Sequence, residues 1–153
     1  MQEHREWQMP EWWYREKRPT NDEAYFENMC RVIFQAGLNW KVIDNKWSSI
    51  KKALLNFKIE KIACFTEADI ERLMKDPEII RNKGKIKAII QNAQNFNTIK
   101  KQYGSFQKYL DSIDKSNNYE NAIKDLVNKF KWLGNPSASL FLYTVGEKIS
   151  VWD

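Results

Sequence analysis

Apolar residues in this chain recur at three- and four-residue spacing far more often than they alternate, which is the pattern of amphipathic helices rather than strands. Thr20-Asn-Asp-Glu23 reads as a capping box opening a helix through about Phe34, with Tyr25, Phe26, Met29, Val32 and Ile33 on its apolar face. Gln35-Ala-Gly-Leu38 follows, and Gly37 stands where that helix would end. Asn39 can cap the next helix, which places Trp40, Ile43, Trp47, Ile50 and Leu54 on one face. Ile59 to Cys64 predicts a short helix, and Thr66-Glu-Ala-Asp69 caps another that ends near Asp76-Pro77. A long helix is predicted from about Lys83 to Tyr103. Gly104-Ser105 breaks it, and Ser105 caps Phe106 to Ile113. The polar stretch Asp114 to Asn118 reads as a loop, and Asn121 to Lys131 as a helix. Trp132-Leu-Gly-Asn-Pro136 then predicts a tight hairpin. Asn135 caps a last helix with Pro136 at its first position, running through Val145 to Gly146. The expected fold class is all-α, with about eight or nine short helices. One domain spans residues 20–153 with its hairpin at 132–137, behind an aromatic and basic arm at 1–19.

Composition narrows the chemistry. With 153 residues, 42% of them hydrophobic, the chain can bury one sizeable core. Its single histidine, His4, lies in a polar N-terminal stretch, so a histidine-rich metal site or a histidine-based nucleophile is not expected. The five glycines stand far apart, unlike a glycine-rich phosphate loop. Cys30 and Cys64 fall inside apolar helical patterns and are expected as buried thiols. Neither a signal-peptide core nor an apolar run near 18 residues is present. A soluble intracellular protein of the cytoplasm or nucleoid, with no membrane partner and no cofactor, is expected.

The charge is +5 and the aromatic content 14%, including seven tryptophans. A basic chain points to a polyanion, and excess aromatics point to something flat to stack on. From Ile79 to Leu110 there are 32 residues with seven basic side chains and no acid, among them Arg81, Lys83 and Lys85. This is either a solvated lysine-rich face or a surface that contacts phosphates. The hairpin adds to the second reading. Gly134 permits a tight turn, and the start of the following helix leaves amide groups free to bind a phosphate without reading sequence.

Two blocks carry a resemblance. Cys30-Arg-Val-Ile-Phe-Gln35-Ala-Gly-Leu-Asn-Trp40, and Glu71-Arg-Leu-Met-Lys-Asp76 with Ile79-Ile-Arg81-Asn-Lys-Gly84-Lys85-Ile-Lys-Ala-Ile-Ile-Gln-Asn92-Ala, are similar to motifs of the DNA-3-methyladenine glycosylase I family. With the hairpin, the similarity covers roughly residues 20 to 146. It implies an all-α, helix-hairpin-helix enzyme that flips a damaged nucleotide out of double-stranded DNA and removes its base. By this resemblance Trp40 would stack on the flipped base, and Tyr14, or Trp12 or Trp13 instead, would supply a second pocket aromatic. Gln35 or Leu38 would plug the gap left in the helix. Gly134, Ser137 and Ala138 would clamp a phosphate, with Arg81, Lys83 and Lys85 nearby.

Three departures accompany it. Val32 stands where the family has a glutamate that hydrogen-bonds the base. The family's zinc-binding cysteines and histidines have no match, so no metal is expected. Asp153 falls seven residues beyond Gly146, the interval at which the wider helix-hairpin-helix superfamily places its catalytic aspartate, a position the family proper leaves without one. A carboxylate there can stabilise an oxocarbenium-like sugar or orient water. The lysine used by bifunctional members falls near Asp125, so a monofunctional glycosylase acting on an alkylated or otherwise damaged purine is expected, as a monomer. A non-catalytic module of the same fold that binds damaged DNA is the alternative, and a helical interaction domain with a basic face is a third reading.

Overall fold

The computed structural model describes residues 9–15 and 17–151. Among these, every named element is helical: α1 (Asp22–Gln35), α2 (Trp40–Ala53), a single turn at Leu55–Phe57, α3 (Ile59–Ala63), α4 (Glu67–Met74), α5 (Lys83–Tyr103), α6 (Phe106–Asp111), α7 (Ser116–Lys129) and α8 (Asn135–Thr144). An isolated parallel bridge joins Tyr14 to Val145. No described helix is long and apolar enough to cross a membrane.

Helices α1 and α5 are the core pieces. From Cys30 to Gln35, α1 is buried all round, because α5, α6 and α8 pack on it from different sides. Phe96 of α5 stacks on Phe106 of α6 with centroids 4.5 Å apart, and Phe26, Phe130 and Phe141 close around the pair. Each fully buried ring contributes on the order of 2–3 kcal/mol through removal from water.

The local signals act where sequence places them, with instructive shifts. Asn21, rather than Thr20, caps α1: its side chain accepts the Ala24 amide at 2.9 Å. Asp22 instead accepts the Phe106 amide at 3.0 Å and ties α1 to the start of α6. Asn39 accepts the Lys41 amide at 2.8 Å, Ser105 accepts that of Lys108 at 3.1 Å, and Thr66 with Asp69 forms the capping box of α4. Gly134, not Asn135, is the N-cap of α8, so Asn135 is already helical. The expected loop at 114–118 is wound into the start of α7, where Asn117, Asn118 and Tyr119 adopt left-handed φ values of 55°, 54° and 68°. Cys30 is buried as expected, but Cys64 is exposed at the end of α3. Gly146 has a tertiary reason: a Cβ there would lie 2.3 Å from the Lys17 carbonyl, at φ +83°. Only glycine lets the N-terminal segment cross the end of α8 so closely.

Candidate functional site

The N-terminal segment is built into the domain. Tyr14 donates its amide to the Thr144 carbonyl at 2.8 Å. Asn28, buried on α1, donates to the Trp12 carbonyl at 3.2 Å and the Thr144 carbonyl at 3.3 Å. Trp13 is thereby driven inward, its ring edge-on to Trp12, Trp40 and Tyr143 at centroid distances of 5.9, 6.0 and 5.5 Å. It forms the floor beneath Trp40 rather than a free stacking face. Tyr14 itself is half-buried.

Trp40 stands at the first turn of α2 and is 40% exposed. Periodicity put it on the buried face with Ile43, Trp47 and Ile50. Those three are buried, but α2 starts at Trp40, so its first turn runs past the edge of the core. Its ring looks over a cleft of about 530 Å³, whose other walls include Asn118, Pro136, Leu140, Ser150 and Val151. Val32 lies in the core of α1 and puts no polar group at the place it occupies.

Beside Trp40, the α1–α2 loop projects Leu38, which is 41% exposed. Gln35 does not project with it. At 2% exposure it is packed inside the end of α1, with its side-chain amide nitrogen buried and lacking a hydrogen-bond partner among the described residues. Of the two wedge candidates only Leu38 reaches the surface. Lys85 is also displaced from its expected role. It is 4% exposed, and its ammonium donates to the Phe34 carbonyl at 2.9 Å and the Ala36 carbonyl at 2.8 Å. A cation there satisfies the last carbonyls of α1 and faces the negative end of its dipole. Lys85 therefore staples the Leu38 loop from below, and no phosphate can reach it. Burial pushes its pKa below the ordinary lysine value.

The hairpin between α7 and α8 is fixed by α5. Fully buried Asn92 accepts the Lys131 amide at 2.8 Å and donates to its carbonyl at 3.0 Å, and Asn95 donates to the Lys129 carbonyl at 2.6 Å. Trp132 lies across Gly84, where any Cβ would come within 2.6 Å of its ring. A second cleft, about 510 Å³, runs between Ala36 and the hairpin residues Lys131, Leu133, Gly134 and Ser137. Ala138 is buried and its amide already donates to the Gly134 carbonyl at 2.8 Å. Since Pro136 has no N–H, the amides of Asn135 and Ser137 are those the helix start leaves for an anion. On the far side of Leu38 a third groove, about 630 Å³, is shared by Leu38, Val42, Lys46, Met74 and Arg81. Arg81 and Lys83 are exposed. Trp40, Leu38, the hairpin and Arg81 thus belong to adjoining clefts. Asp153 lies outside the described residues.

Sequence reasoning missed Arg31. Its guanidinium sits between Trp12 and Trp47, 4.8 Å from each ring, and is ion-paired with Asp44. Burial lowers its pKa, against the pull of Asp44. The stack clamps the N-terminal segment to α1 and α2. Among the described residues no three His, Cys, Asp or Glu side chains converge as they would on a metal.

The fold, with a half-exposed tryptophan and an exposed leucine beside a helical hairpin, has close counterparts. A crystal structure of a variant of 3-methyladenine DNA glycosylase I in complex with 3-methyladenine superimposes with a TM-score of 0.77 at 28% identity, over 92% of this chain and 85% of that one. The architecture is that of an all-helical DNA glycosylase. In sequence, the chain is 37% identical over 91 residues to DNA-3-methyladenine glycosylase 1 of Escherichia coli (strain K12), covering 60% of this chain and 44% of that protein. It is 30% identical over 122 residues to the DNA-3-methyladenine glycosylase of Haemophilus influenzae, covering 80% of this chain and 62% of that one. The chain therefore spans less than two thirds of either curated relative. The family model described as methyladenine glycosylase matches residues 5–134. The chain belongs to the methyladenine glycosylase family.

Proposed function

We propose that this protein is a monofunctional DNA glycosylase, acting as a monomer on double-stranded DNA to hydrolyse the N-glycosidic bond of a 3-methyladenine-like damaged purine. The observation that carries the proposal is the placing of Trp40: half-exposed over a cleft with room for a purine, next to the exposed Leu38 and within reach of the Gly134 hairpin. Leu38 fills the space vacated by the extruded nucleotide. The amides of Asn135 and Ser137, with Arg81 and Lys83, hold the backbone phosphates. The flipped base stacks on Trp40. A purine alkylated at N3 or N7 is cationic, so the face of an indole favours it by roughly 1–2 kcal/mol over its neutral parent. The same charge makes it a good leaving group. As the C1′–N bond breaks, the electron pair goes to the base, which departs neutral. Water adds to C1′ and loses a proton. Asp153 is the carboxylate assigned to stabilise the cationic sugar and orient that water. With Val32 in place of an acid, selection rests on stacking and fit rather than on a hydrogen bond from that position.

Release of free base from methylated duplex tests this. Wild type is expected to release 3-methyladenine, and Trp40→Ala to do so about 10–100-fold more slowly, the loss of one base–aromatic stack. Asp153→Asn is expected to impair release without weakening duplex binding. Wild type that liberates no alkylated, deaminated or oxidised base overturns the proposal.

A further inference from the structure

The described residues beyond α8, 145–151, form no helix, yet Ser150 and Val151 form one wall of the cleft that Trp40 overlooks. What holds that wall is the left-handed turn at Asn117–Tyr119. Asparagine tolerates the left-handed region, but a tyrosine there is an outlier that persists only where its surroundings over-determine it. Here they do. Asn118 accepts the Ser150 amide at 2.9 Å and donates its own amide to the Ser150 carbonyl at 2.9 Å. Tyr119 accepts the Lys148 amide at 3.0 Å and donates to Glu147 at 3.3 Å. The buried Glu147 carboxylate also lies 3.0 Å from the Lys115 ammonium and 3.5 Å from the Arg18 guanidinium. Residues 147, 148 and 150 are thus gripped in succession by two adjacent side chains.

The two halves of this grip differ. The Tyr119–Glu147 half is buried and ties elements together. The Asn118 half is exposed, where a hydrogen bond competes with water and adds little stability. What Asn118 does supply is register: it reads both polar groups of one residue, and it lines the cleft itself. A shift of one residue would move both Ser150 and Val151 off their places in that wall. We infer that Asn118 is a positioning residue, whose side-chain amide sets the register of the C-terminal segment and so shapes the wall opposite Trp40. The inference rests on the reading of that cleft as the base pocket.

The test uses the full chain with Asn118→Gly and Asn118→Asp. Glycine accepts the left-handed backbone and removes both bonds. Aspartate tolerates the same backbone and keeps the acceptor for the Ser150 amide. In Asn118→Gly, exchange of the Ser150 amide is expected to quicken and affinity for free 3-methyladenine, read by tryptophan fluorescence, to fall about tenfold, with Tm held within about 2 °C. Base release should fall in parallel, affinity for undamaged duplex should stay the same, and Asn118→Asp, which keeps one bond but sets a carboxylate oxygen against the Ser150 carbonyl, should recover only part of the loss. Wild-type affinity for the free base in Asn118→Gly overturns the inference alone. A loss matched by a lowered Tm and weakened duplex binding overturns it too, as general damage. Wild type that binds the free base but releases none from DNA overturns the glycosylase reading, while the affinities still decide the role of Asn118. Wild type that does not bind the free base at all overturns the reading of this cleft as its pocket, and the role of Asn118 with it.

Discussion

At the scale of single residues, Lys85 shows how one side chain can be read two ways. Its place in an acid-free basic stretch points outward to phosphate, yet its ammonium is spent on two backbone carbonyls at the end of α1. One of them, that of Ala36, opens the loop that presents Leu38. Replacing Lys85 with methionine keeps most of the apolar stem but leaves both acceptors without their cation. A destabilisation of roughly 2–3 kcal/mol is expected, the usual size for losing charge-assisted hydrogen bonds in a buried setting. Urea denaturation of wild type and Lys85→Met measures it. An unchanged midpoint would show that water takes over the carbonyls and that the staple is dispensable. Gln35 shows the reverse of the same problem. Its neighbours in sequence form an exposed loop, while its own side chain is inside α1, and no local pattern separates the two.

At the scale of elements, an ion-pair network ties the N-terminal segment and a residue just past α8 to the α6–α7 junction. Arg18 of the N-terminal segment grips Asp111 at the end of α6 through two contacts of 2.8 Å. Lys115, just before α7, reaches Asp111 at 2.9 Å and Glu147 at 3.0 Å. The hydrogen bond from Arg18 chiefly holds the Asp111 carboxyl down from its ordinary 3.8 to about 2; burial opposes it, and a smaller hydrogen bond from Lys115 adds to the lowering. A depressed carboxylate stabilises the fold above its unfolded pKa, and that contribution is lost as pH falls through the folded value. The stability difference between wild type and Asp111→Asn should therefore be constant above about pH 5, shrink below it and disappear only below about pH 2. Denaturation midpoints across that range check it, and a difference that persists unchanged down to pH 2 would remove Asp111 from the network. Only the Asp111–Lys115 pair, four residues apart, is visible in a one-dimensional pattern; Arg18 and Asp111 are 93 positions apart. Helix termini, in contrast, are local events. Gly104 and Ser105 stop α5 and start α6 where their chemistry requires, and the Lys83–Tyr103 span follows from spacing alone. The stretch 114–118 is polar enough to read as a loop. It becomes a left-handed entry to α7 through partners such as Ser150, 32 residues away. The candidate site divides in the same way: the family resemblance points to Trp40 and Leu38 and the hairpin pattern to Gly134, whereas the floor at Trp13 and the clamp at Arg31 depend on where the N-terminal segment docks.

At the scale of the whole molecule, the net charge of +5 acquires a direction. Of the basic residues named from the acid-free stretch, Arg81 and Lys83 are exposed, and Arg81 shares a groove with Leu38. The hairpin borders the cleft on the other side of the same loop. A duplex with its damaged base over Trp40 would therefore have phosphates within reach of Arg81 while Lys85 stays covered. Each phosphate neutralised on B-DNA releases counterions and contributes about −0.9 to the slope of log Kobs against log salt. Arg81→Ala should flatten that slope by about one contact's worth, weakening binding to damaged and undamaged duplex alike. Lys85→Met, compared under conditions where it is folded, should leave the slope as it is. Fluorescence anisotropy titrations across a range of salt concentrations distinguish the two. A slope that is the same in wild type and Arg81→Ala would move the phosphate track away from the Leu38 groove, and a flattening in Lys85→Met would mean that the α1 staple opens when DNA binds.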